Sequence, residues 1–233
     1  MKAIVFDTGP IISLTLNNLL WLIEPLKDRF NGEFYITPAV YDELVNKPLN
    51  TKKYKFEALQ ILPYITKGVL KVVTNDEIKL LTAELLEKIN TTFKAKGNWI
   101  KVVHLGEMEA IATALHYGSK TVVIDERTSR KLIEDPDGIA SRLSRKLHMK
   151  IEVNQKNLGF IKKELGNLKV IRSTELAIVA YKSGLLKRYM LEDEKKIIKN
   201  LEKSILEGVL WGIKLNGCSI REDEIIKMIK FLT

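Results

Sequence analysis

Short apolar runs that read as buried strands alternate with runs of helical period through the first 133 residues, and this alternation restricts the fold more than any other feature. Residues 2–6, 33–37, 68–73 and 120–124 are strand-like, rich in Val, Ile, Phe and Tyr. After Gly9-Pro10, residues Ile11, Ile12, Thr15, Leu16, Leu19, Leu20 and Ile23 recur at helical spacing. Thr37-Pro38 reads as an N-cap followed by proline at the first helical position, opening "PAVYDELV". Further helices are predicted over 52–67, 76–90 and 106–118, the last closed by Gly118, and over "ERTSRKLIE", stopped near Asp135-Pro136. The order β-α-β-α implies an α/β fold, a parallel sheet covered by helices on both faces.

The polar stretch "NTTFKAKGNW" reads as a loop. Beyond 136 the pattern predicts a helix to about 148, a short strand at 150–153, a helix at 155–165, a strand at 168–172 and a helix at 174–183. Two amphipathic helices, 193–215 and 221–232, form the tail. The weak division near 186–192 gives one domain over 1–186 and a C-terminal helical extension over 187–233, which is expected to fold back on the domain or to offer a partner interface.

Composition narrows the function. No run approaches the roughly 18 consecutive apolar residues of a membrane span, and the N-terminus lacks a small-residue cleavage pattern, so the cytosol is the expected compartment. Cys218 is the single cysteine and His104, His116 and His148 are dispersed, which excludes an internal disulfide and argues against a zinc site. The formal charge of +9 favours a polyanionic partner.

Asp7 ends the first strand and Asp125 ends the strand "VVI". Ligands of open parallel sheets bind at the carboxyl ends of strands, near the point where strand order reverses. If these strands are neighbours, about 4.8 Å apart, the two carboxylates converge and repel unless a proton or cation intervenes. A hard divalent cation, Mg²⁺ or Mn²⁺, takes oxygen ligands and would resolve the conflict. Two further helices carry acidic pairs. Asp42 and Glu43 flank the apolar stripe of one about equally, and Glu107 and Glu109 flank that of the other, so periodicity leaves both choices open.

Together, "VFDTGPIISL", "ITPAVYDELV", "LGEMEAIATAL" and "TVVIDERTSRKL" resemble, in order and spacing, the PIN-domain family of metal-dependent nucleases, which includes the VapC-type toxins of toxin–antitoxin pairs. The resemblance spans roughly residues 1–133, with weaker correspondence over 168–186. It implies a PIN-like sheet of strand order 3-2-1-4-5 and an acidic pocket in which Asp7, Glu43, Glu109 and Asp125 hold Mg²⁺ or Mn²⁺ and serve catalysis. It implies an endoribonuclease acting on RNA, with an antitoxin and a homodimer as candidate partners. The alternative it leaves is a catalytically weak PIN-fold RNA-binding or scaffold protein. Two departures stand out. Glu126 follows the fourth acid directly, but Arg127 and Thr128 fill the next places, and extra segments occur at about 46–67, 90–104 and 136–167.

One or two divalent metals would supply a nucleophilic water and charge neutralisation at phosphorus. Thr8 is placed to bond the scissile phosphate or a metal-bound water, or to help cap the first helix. Arg127, Arg130 and Lys131 on one helix, and Arg142, Arg145 and Lys146 on the next, are candidate contacts to the RNA backbone. Lys52, Lys53 and Lys55, interleaved with Tyr54 and Phe56, form a third cluster. A phosphoryl-accepting Asp7 would need a second acid two residues on, where Gly9 stands, and the glycine loop of a Rossmann nucleotide site is missing.

Overall fold

The computed structural model describes residues 2–190 and 197–232. Its centre is a five-stranded parallel sheet in the order β3-β2-β1-β6-β8. The strands are β1 (Ala3–Phe6), β2 (Glu33–Ile36), β3 (Lys71–Val72), β6 (Thr121–Val123) and β8 (Lys169–Ile171). Counted within this sheet alone, the strands run third, second, first, fourth, fifth, as the PIN resemblance implies. The chain numbering differs because β4 (Phe93–Ala95), β5 (Asn98–Trp99) and β7 (Glu152–Val153) form a separate three-stranded sheet.

β1 is buried along its whole length, and its side chains alternate between two cores. Ile4 and Phe6 enter a cluster with Phe34, Ile36 and α1 (Thr8–Leu16). Ala3 and Val5 enter a second cluster with Val122, α6 (Asp76–Asn90) and α7 (Leu105–His116). Burial on both faces is why this strand reads as an unbroken apolar run. Register then fixes the site: Phe6 lies opposite Val123, and Asp7 N–H donates to Val123 O at 3.0 Å. The strand order reverses here, between β1 and β6.

Thr37 does cap α3 (Pro38–Tyr41), accepting from Val40 N at 3.3 Å with Pro38 at the first helical position. The helix then widens into a π-helical turn over Asp42–Asn46, which puts one extra residue into the turn carrying Glu43. The helix expected over 52–67 begins at Lys55, because Tyr54 adopts a left-handed φ of 61°.

The stretch expected as a loop is instead the β4–β5 hairpin, and β7 pairs with its other edge. The connection is two residues, Lys96 (φ 47°) and Gly97 (φ 81°). Both are left-handed, which matches the twist of the flanking strands.

The described tail helices are Leu201–Leu215, here α12, and Glu222–Leu232, here α13; the start of the expected 193–215 helix at 193–196 and the end of the division near 186–192 fall on 191–196, outside the described residues. Leu206, Leu210, Ile213, Ile225 and Ile229 share a buried cluster with Ile4, Phe6 and Leu186, so the stretches 1–186 and 187–233 have a core in common. The buried Arg172 guanidinium, just before α11 (Ser173–Lys182), pairs with Glu175 and with Glu224 of α13 at 3.3 Å. Among the described residues no helix is long and apolar enough to cross a membrane.

Candidate active site

Asp7 stands at the carboxyl end of β1, 7% exposed, and makes no capping hydrogen bond to α1. Burial pushes its carboxyl up to about 7, and the like charges of Glu107 and Glu43 add to the rise; the Thr8 and Gly9 N–H groups oppose it. A buried carboxyl surrounded by like charge favours a proton or a cation.

Glu43 faces this carboxyl from the π-helical turn and accepts from Thr8 Oγ1 at 2.7 Å. A Cβ at Gly106 would lie 3.5 Å from Glu43 Oε1, so the first turn of α7 runs directly beneath the carboxylate. Asp42, by contrast, is half-exposed, pairing with Lys47 at 3.2 Å and accepting from Asn46 at 3.3 Å. The Thr8 hydroxyl donates to Glu43.

On α7 the two acids are engaged differently. The Glu109 carboxylate accepts Ala39 N–H at 2.9 Å, filling one of the orphan donors at the start of α3. Glu107 adds its charge to the rise of the Asp7 carboxyl. It accepts His104 N–H at 3.0 Å in a capping box, and burial raises its pKa, assisted by the charge of Glu126. Beside it lies the Ser129 hydroxyl, buried without a hydrogen-bond partner among the described residues. Glu126 caps α8 (Arg127–Glu134), accepting from Thr128 N and from Ser129 N at 2.7 Å.

Asp125 is adjacent to Asp7 in the fold, but its carboxylate is not unpaired as the sequence suggested. A Cβ at Gly9 would lie 3.4 Å from Asp125 Cβ and 3.8 Å from Asp7 Oδ2, so the start of α1 packs against both aspartates. Asp125 itself is 2% exposed and accepts three hydrogen bonds, from Ser13 Oγ (2.9 Å), Ser173 N (2.8 Å) and Ser173 Oγ (2.7 Å). Its carbonyl accepts Ser219 N–H at 3.1 Å, and Cys218 packs beside the carboxylate, where burial and that charge push the thiol up. Asp125 ties the end of β6 to α1, α11 and the α12–α13 loop. The donors are 48 to 112 residues away in sequence, so no local pattern signals them.

The basic candidates divide. Arg127, Arg130 and Lys131 line a cavity of about 270 Å³ with Ser219, Arg221 and Glu224. Arg130 pairs with Glu134 at 3.4 Å and donates to Ser219 O at 3.3 Å, while Lys131 pairs with Asp135 at 2.7 Å. On α9 (Gly138–Leu147), Arg142 reaches back to Thr128 Oγ1 at 3.5 Å; Arg145 and Lys146 are exposed. In the third cluster Lys53 lies over Tyr54 at 4.6 Å and Phe56 is exposed.

An open parallel sheet with buried acidic side chains where its strand order reverses defines an α/β domain with an acidic switch point. The sequence matches the family described as PIN domain over residues 3–137, more than half of the chain, and the chain belongs to the PIN-domain family, a family of nuclease domains. No curated protein matches it. A solved structure it is similar to is the crystal structure of VapBC2 from Rickettsia felis bound to a DNA fragment from their promoter. The identity is 15%, over 73% of this chain and 98% of that chain, with a TM-score of 0.39.

Proposed function

We propose that this chain is a Mg²⁺- or Mn²⁺-dependent endoribonuclease whose metal-holding carboxylates are Asp7, Glu43 and Glu107, with Glu126 at the edge of the pocket. The observation that carries this reading is the Asp7 carboxyl, buried among like charges at the switch point of the sheet. The donors are all oxygen, which fits a hard divalent cation, and the buried Ser129 hydroxyl beside Glu107 adds a further polar group. When bound, such an ion lowers the pKa of a water and neutralises charge on a phosphodiester. The chain's own residues do the rest. Thr8 orients Glu43, the His104 N–H orients Glu107, and Arg127 and Arg142 border α8, where a phosphate backbone is held by charge.

In this assignment Glu109 and Asp125 build the scaffold. Glu107→Gln should lower cleavage at least about a hundredfold, since even outer-shell partners of a metal ligand are typically worth roughly 10–100-fold. Glu109→Gln keeps an acceptor for Ala39 N–H and should stay within a few-fold of the parent. The reverse ranking in a cleavage assay on mixed RNA would return the third position to Glu109.

Cleavage should vanish in EDTA and return with Mg²⁺ or Mn²⁺. Undiminished turnover after chelation would end the metal reading. One observation favours a catalytically weak RNA-binding or scaffold protein instead: among the described residues, no three His, Cys, Asp or Glu side chains stand close enough together to hold a metal ion. Calorimetric titration with Mn²⁺ separates the two, because only the nuclease reading requires a saturable binding isotherm. An antitoxin partner and a homodimer belong to the same proposal, through the resemblance to VapC-type toxins; co-purification with the product of an adjacent small reading frame tests the first, and light scattering the second.

A further inference from the structure

The small second sheet faces outward with an unusual charge. Lys94 of β4 lies opposite Trp99 on one side and Glu152 on the other, so these three share one face; Phe93 and Val153 share the opposite face. Phe93 is fully buried, which makes the Trp99 face the outer one. Trp99 is 47% exposed, with Lys94 Nζ 5.3 Å from the ring centroid.

The segment that forms the hairpin, 91–104, carries three lysines, Lys94, Lys96 and Lys101, and no carboxylate. Elsewhere cations are commonly paired, as with Lys27 and Lys71 on Glu33 or Lys162 on Asp137. None of Lys94, Lys96 and Lys101 forms an ion pair with a described carboxylate. Concentrated, unpaired positive charge around an exposed indole is complementary to a polyanion that also carries flat apolar rings. Arg145 and Lys150 line a further open cavity of about 370 Å³ beside β7. From Trp99 the chain runs six residues to Leu105, at most about 20 Å, and there α7 begins with Gly106 and Glu107 at the acidic pocket.

We propose that the β4–β5 hairpin is a stacking platform for single-stranded RNA. Trp99 takes an unpaired base on its exposed face, and Lys94, Lys96 and Lys101 hold the flanking phosphates. This rests on the ribonuclease reading above and adds a substrate preference to it. A ring held at the end of a two-residue hairpin stacks on splayed bases, whereas the bases of a duplex are already stacked on one another.

The test uses the full-length chain carrying Asp7→Asn and the fluorescence anisotropy of a short labelled RNA, single-stranded or as its duplex, across a salt series. Adding Trp99→Ala should weaken single-strand binding roughly ten- to hundredfold, leave the duplex affinity in place and leave the salt slope unchanged. Trp99→Phe should stay within a few-fold. Replacing Lys94 and Lys96 by Gln should instead flatten the slope of log K against log salt by about 0.7 per lost contact. Parent-like single-strand affinity in Trp99→Ala overturns the platform, as does an equal loss for both RNA forms, which would mark collapse of the hairpin. If the Asp7→Asn parent binds neither RNA form, the ribonuclease reading falls with it, and that result shows as a missing isotherm rather than as a variant equal to its parent.

Discussion

Asp7→Asn should stabilise the protein at pH 8 while abolishing cleavage. Burial and the charges of Glu107 and Glu43 push the folded-state pKa of Asp7 up to about 7, whereas an unfolded aspartate titrates near 3.9. Between these values the native state binds more protons than the unfolded state, so stability falls as pH rises. The stabilisation is complete below about pH 4 and is lost as pH climbs through about 7, at up to ~1.4 kcal/mol per pH unit. Above that window the buried anion costs a few kcal/mol by the same linkage. Asn keeps the shape and removes the charge. Denaturant melts from pH 4 to 8 should therefore show a falling stability in the parent and a flatter profile in the variant. Saturating Mg²⁺ at pH 8 should stabilise the parent, by about 2.7 kcal/mol at a hundred times Kd, and the variant far less. A variant less stable than its parent at pH 8 would mean that the carboxylate is not strained there.

Asp125→Ala should act on the other side of the ledger. It leaves Ser13 Oγ, Ser173 N and Ser173 Oγ without their acceptor in a site that excludes water. Each orphaned buried donor costs about 1–3 kcal/mol. The three share one carboxylate and do not add independently, so the expected loss is at least about 3 kcal/mol, a fall in Tm of roughly 10 °C for a chain of this length. Asp125→Asn should lose less, because Asn still accepts from Ser173 N and the serine hydroxyls rotate. At a temperature where the Ala variant is folded, its affinity for Mn²⁺ should stay close to the parent's. Unchanged melting together with lost metal binding would make Asp125 the ligand that the sequence suggested.

The contrast between these two aspartates marks where the sequence stops informing. Both end apolar strands and both precede helices, and strand alternation alone brings them to the same edge of the sheet. What separates them is which donors reach each one. Those of Asp125 come from helices distant in the chain. The pair Glu107 and Glu109 shows the same limit on one helix: spacing places them symmetrically about the apolar stripe, and what distinguishes them, the Ala39 N–H bonded to Glu109, arrives from another element. The π-helical turn under Glu43 is invisible for a different reason, since one extra residue in a turn leaves the apolar pattern on either side intact. The β4–β5 hairpin was legible in part. Gly97 signals a turn, but Lys96 ahead of it is not one of the residues that favour a left-handed conformation, so the stretch reads as irregular.

The bracing of Asp125 by Ser219, from a loop near the end of the chain, has a consequence for the order of synthesis. A nascent chain presents the strands, Asp7, Glu43 and Glu107 early. It lacks the Ser219 brace, the Glu224 partner of Arg172 and the contributions of Ile225 and Ile229 to the core until residues 219–229 have been made. At a translation rate of about 5–20 residues per second, the acidic pocket stays unbraced for seconds while the polypeptide is still tethered beside the RNA that encodes it. A complete, locked site forms only once synthesis has carried the chain past α13.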